Sequence, residues 1–88
     1  MSRPPPTPSP AAVILARLRG RLTQEEAATR AAALLLPGRT FTGRALCRFE
    51  TGEVSALRAD VQAALLDVYG VSDGDRGLVT AAMLRRAP

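Results

Sequence analysis

The chain has 88 residues, 12 of them basic and 8 acidic, for a net charge of +4; that length holds one small domain, which buries only about 60% of its unfolded surface and gains from a partner subunit. A single cysteine, Cys47, and no histidine exclude an intrachain disulfide framework, leave too few ligands for a structural zinc and supply no nucleophile–base pair, so neither a cofactor nor enzyme activity is expected. No apolar run approaches a membrane span and the N-terminus lacks the apolar core of a signal peptide, which predicts a soluble, cytoplasmic protein.

Apolar residues make up 47% of the chain with only 3% aromatic, a composition that packs helices closely and suits strands poorly; an all-α fold of five helices is expected. Every basic residue is arginine, which, with so much alanine, reads as the coding bias of a GC-rich genome. Residues 1–9, within "MSRPPPTPSP", read as a disordered proline-rich tail, since proline removes backbone donors and holds the chain extended; "RPPPTP" has a second reading as a ligand for an SH3-like groove. The domain proper then spans 10–86. The first helix opens with Ser9 as cap and Pro10 at the first helical position and stops at Gly20, with Val13 and Ala16, and Ala12 beside them, facing inward. The second opens with a capping box, Thr23 and Glu26, buries Ala27, Ala31, Leu34 and Leu35, and ends at Pro37-Gly38.

The third helix, 42–51, is the most fully specified. Thr42 caps it, Phe41 and Leu46 are spaced as a hydrophobic staple, and Gly52 stops it. Leu46 and Phe49 point to the core, so Arg44 and Arg48, four apart, form an exposed stripe. On periodicity alone that stripe reads as a solvated face, as charged helical faces usually are. The fourth helix lies within "ALRADVQAALLDVY", with Leu57, Val61, Leu65 and Val68 inward and Gly70 as stop. The fifth opens on Ser72 and Asp75 and runs through "RGLVTAAMLRR". Its Leu78, Val79, Ala82 and Met83 form either a dimer seam or the last part of the core.

Taken in order, "RLRGRLTQEEAATRA", "FTGRALCRFETGE" and "ALLDVYGVSD" resemble the XRE-type (lambda Cro-like) helix-turn-helix domain of bacterial and phage regulators, actinobacterial ones especially, over about residues 11 to 84. The resemblance implies a five-helix lambda-repressor-like domain whose third helix enters the major groove while the second crosses above it. Thr42, Gly43, Arg44, Cys47 and Arg48 fall at the family's groove-facing positions. Arg44 is the first choice for a base contact, because arginine pairs bidentately with guanine. Gln24 falls where the family reaches a phosphate and braces the third helix. Thr23 and the neighbouring amides add a phosphate site. Arg17 and Glu50 match the family's partly buried structural ion pair.

Three departures stand out. "AALLLPGRTF" is longer than the usual turn, so that either the second helix gains a turn or a loop bulges and brings Arg39 near the backbone. Gly43 and Ala45 offer little side chain at reading positions, which shifts weight to DNA shape. Glu53 stands where basic residues often meet phosphate. Cys47 reads as a small replacement for the family's serine, a redox switch being the alternative.

The function implied is a sequence-specific transcriptional regulator, blocking or recruiting polymerase. It binds double-stranded DNA as a homodimer, its recognition helices in major grooves about 34 Å apart. The alternative is a protein-interaction module on the same fold, an antitoxin or a regulatory partner subunit, which Gly43, Ala45 and Glu53 favour.

Overall fold

The computed structural model of the protein describes the backbone of residues 6–84 and the side chains of residues 6–81. Five helices follow one another, α1 (Pro10–Arg19), α2 (Gln24–Ala32), α3 (Gly43–Thr51), α4 (Ala59–Val68) and α5 (Asp73–Leu84), and no strand occurs among the described residues. The fold is all-α. The α2 helix packs on α3 and α4, and α1 packs on α3 and α5.

Local sequence sets where the helices begin. Ser9 Oγ accepts from the Ala12 amide at 3.1 Å, with Pro10 in the first turn. The Thr23–Glu26 box is closed in both directions: the Glu26 amide donates to Thr23 Oγ1 at 3.0 Å and the Thr23 amide to Glu26 Oε1 at 3.2 Å. Thr42 Oγ1 accepts from the Ala45 amide at 3.2 Å. Ser72 Oγ accepts from the Asp75 amide at 3.3 Å and donates to its carboxylate at 2.9 Å. Each such cap satisfies an amide that the first helical turn leaves orphaned, worth about 1 kcal/mol.

The core is small and rich in alanine. Leu15, Leu46, Phe49, Val61 and Leu65 are its largest fully buried side chains. Ala12, Ala27, Ala31 and Ala64 fill the spaces between helices, letting α2 lie close on its two neighbours. Phe41, just before the α3 cap, packs on the cluster that contains Leu46, as a staple does. Leu57 lies before α4 and, like Val68, is only partly buried, and Ala64 and Leu66 join the buried set.

Two expectations about which face turns inward are corrected. In α1 the buried residues are Ala12 and Leu15, and Val13 is exposed. In α2 the inward stripe is Ala27, Ala28 and Ala31, and Leu34 is exposed because the helix ends at Ala32 and the chain turns away through 33–35. The long "AALLLPGRTF" stretch is therefore a loop and not an added helical turn. Of the proline-rich tail, residues 6–9 form no regular secondary structure, and they do not all hang free. The backbone of Thr7 and Pro8 lies against Gly52, the left-handed stop of α3 at φ +92°, so closely that a Cβ there would stand 2.5 Å from the Thr7 carbonyl. Residues 1–5, with the rest of "RPPPTP", and the side chains of Ala82 and Met83 lie outside the described residues. Leu78 is exposed and Val79 packs on the core.

Candidate nucleic-acid interface

The outer face of α3 follows from its inner one. With Leu46 and Phe49 buried, Arg44, Arg48 and Thr51 are exposed and Cys47 is half-buried. The two arginines differ in their engagement. Arg48 Nε lies 3.2 Å from the Glu53 carboxylate, both side chains more than half exposed. Arg44 makes no ion pair or side-chain hydrogen bond among the described residues. A solvent-exposed pair such as Arg48–Glu53 is worth little and opens easily. Arg44 is the guanidinium presented without competition.

Gly43 is placed by packing and not by a ligand. A Cβ at this position would lie 3.0 Å from Glu25 Cα and 3.2 Å from its amide nitrogen. The first turn of α3 therefore rests directly on the first turn of α2, and glycine permits that approach. The smallness of Gly43 thus has a packing cause beside the groove-facing place expected of it.

The element holding α3 at this angle is centred on Glu50, whose side chain is 7% exposed. Its two carboxylate oxygens accept from Arg19 Nε at 2.8 Å, Arg19 Nη2 at 2.9 Å and Gln24 Nε2 at 2.9 Å. Arg19 also donates through Nη1 to the Leu22 carbonyl at 2.5 Å. The fork of one arginine thus fastens the end of α1, the α1–α2 turn and α3 together, the bidentate geometry that suits arginine. The carboxylate partner raises the Arg19 pKa above its ordinary value, chiefly through the hydrogen bond to Glu50.

The expected partner of Glu50, Arg17, is exposed and takes no part. Arg19 stands four residues after buried Leu15, on the inner side of α1; Arg17 stands four after exposed Val13, on the outer side. Misreading the phase of α1 and misassigning the arginine are one error. Sequence reading passed over Arg19, and its spacing from Leu15 was the signal for it.

At the start of α2 the arrangement is less open to phosphate than expected. Thr23 is engaged in its capping box, which also occupies two of the first-turn amides. The amides of Gln24 and Glu25 keep no intrachain partner among the described residues, yet Glu25 and Glu26 place two carboxylates in that turn. The Glu26 carboxyl is held below its ordinary range, first by the Thr23 amide that donates to it. Gln24 braces α3 through Glu50, one of its two expected jobs, and its amide nitrogen is occupied in doing so.

Arg39 is turned to a structural task. It lies 3.5 Å from the Asp60 carboxylate, and Arg58 shares that carboxylate at 3.6 Å. Arg58 also donates to the Thr40 carbonyl at 3.1 Å. Together they tie the α2–α3 connection to the first turn of α4.

Tyr69 has no counterpart in the sequence reading. Its hydroxyl is buried without a hydrogen-bond partner among the described residues. Burial, with the Glu50 carboxylate nearby, pushes its pKa up to about 12. Comparison with family models, with curated proteins and with solved structures finds no match for this chain.

Proposed function

We propose that the chain is a helix-turn-helix transcriptional regulator that places α3 in the major groove of operator DNA, acting in the cytoplasm as a homodimer and not as an enzyme. One observation carries the reading. A short helix is capped by Thr42, stopped at Gly52 and locked from behind by Glu50, and it presents an unpaired Arg44 on its outer face. Rigid support behind and a free guanidinium in front are what a base-reading helix needs. Arg48 joins at phosphate or base once its exposed pair with Glu53 opens, and the ordered motifs of α2, α3 and α4 support the same reading.

The Arg48–Glu53 pair favours a second reading, a protein-interaction module on this fold, because it halves the free charge of the face. A salt series separates the two. Phosphate binding gives an affinity that falls steeply as salt rises, more steeply than a protein contact resting on a few exposed ion pairs. Arg44→Ala relaxes base preference under the first reading, at a cost of about 1–3 kcal/mol for a lost bidentate contact.

A further inference from the structure

Within the connection from α2 to α3, Leu35 and Phe41 pack on the core, but Leu34 and Leu36 serve neither the core nor the α3 face. Leu34 is 56% exposed and Leu36 73% exposed, yet the backbone that carries them is well ordered by hydrogen bonds. The amides of Leu34 and Leu35 donate to the Ala31 and Ala32 carbonyls, and the Arg39 amide donates to the Leu36 carbonyl at 3.1 Å. Pro37 followed by Gly38 at φ +86° forms that last turn, as in a type II turn. Arg58 and Arg39 then fasten the segment to α4 through Thr40 and Asp60. Leucines held this way contribute little to folding and stand ready for an outside surface. Arg30 lies four residues before Leu34 in the chain, Arg39 closes the turn on Leu36 through its amide, and Arg58, hydrogen-bonded to the Thr40 carbonyl, shares the single carboxylate of Asp60 with Arg39.

Charge and apolarity together choose the occupant. Duplex DNA offers phosphate to the arginines but no apolar surface to Leu34 and Leu36. A second copy docking through the same patch about a two-fold axis would set arginines against arginines. We propose that this connection is a docking surface for an amphipathic segment of a partner protein that carries acidic side chains beside its apolar ones. The leucines supply the area to be buried, the arginines the complementary charge, and the fixed turn removes the cost of ordering the loop. The surface uses neither Arg44, Cys47 nor Arg48, so it stands whether or not α3 reads DNA.

The test titrates the full-length, isotope-labelled protein with a helical peptide of leucine and glutamate at amphipathic spacing, and with its counterpart carrying lysine for every glutamate. The acidic peptide should move the amide signals of Arg30 and residues 33–40, and the lysine peptide should not. Leu36→Ser should melt as the parent does and bind about tenfold more weakly. Arg30→Glu, also on an exposed position, gives a second variant with the same expected loss. Binding of neither peptide, equal binding of both, signals moving elsewhere, or unchanged affinity in the folded variants overturns the proposal. So does a loss in Leu36→Ser of self-association, which gives the surface to a second copy, or of duplex affinity, which gives it to DNA.

Discussion

At the scale of single residues, the side chains that matter most are those fixing α3 from behind. Glu50 is 7% exposed and its partner Arg19 20%, so removing the carboxylate strands a guanidinium that water reaches only in part. Glu50→Ala should cost roughly 2–3 kcal/mol, below the value for a wholly dry pair because Arg19 keeps some solvent. Arg17→Ala should change stability by less than about 0.5 kcal/mol, as for surface positions generally. Urea denaturation of the two variants checks the assignment, and a loss in Arg17→Ala as large as that in Glu50→Ala would reverse it. Tyr69 gives a prediction of opposite sign. Its buried hydroxyl has no partner among the described residues, and an unsatisfied buried polar group costs about 1–3 kcal/mol. Tyr69→Phe should therefore leave stability unchanged or raise it by about 1 kcal/mol. The folded pKa stands near 12 against an ordinary 10.0, so the unfolded chain loses this proton first. Stability should fall as pH rises from 10.0 towards 12, and the Tyr69 share of that fall should vanish in the phenylalanine variant.

Elements depend on their ends. Gly52 and Gly70 both have positive φ, +92° and +75°, but a Cβ at Gly70 meets open space and one at Gly52 meets the Thr7 backbone at 2.5 Å. Gly70→Ala should cost about 1 kcal/mol for the left-handed backbone alone. Gly52→Ala should cost clearly more, since the tail must also leave its seat; equal losses in thermal melts would show that the tail contributes nothing there. The capping box at the start of α2 adds an acid-side test. The Glu26 pKa is lowered in the fold from its ordinary 4.5, so its contribution is present above that value and is lost as pH falls below it. Glu26→Gln keeps a side chain that can close the box, and should flatten this part of the acid transition in pH-dependent melts. These ends were legible in the sequence because each is a local signal reaching three residues along the chain: Ser9, Thr23–Glu26, Thr42 and Ser72–Asp75 all cap as their spacing predicts. The inward face of α1 was not legible. "AAVILARL" is apolar on every side except at Arg17, so periodicity alone does not choose a face. The contacts of α1 with α3 and α5 do, turning Ala12, Leu15 and Arg19 inward. The packing role of Gly43 was not legible for a related reason: the neighbour that requires its smallness, Glu25, lies on another helix.

At the scale of the whole molecule, the five helices use their buried area to hold one short helix at a fixed angle, and the charges not spent on that task define its faces. Arg19, Arg39, Arg48, Arg58 and Arg76 are engaged with carboxylates, which leaves Arg44 as the guanidinium free on α3. The sequence shows the helix and its stripe but not which arginines the fold would engage, since Glu53 and Asp60 become partners only through the turns that follow α3. That α3 reads DNA is the central claim. Its most direct test is selection from random duplex DNA with the purified protein, followed by binding of the recovered sequence across a salt series, with Arg44→Ala alongside. The account predicts a two-fold motif, an affinity that falls steeply with salt and a preference relaxed in the variant at one position of each half-site. No enrichment, with weak binding that the variant shares, would contradict it.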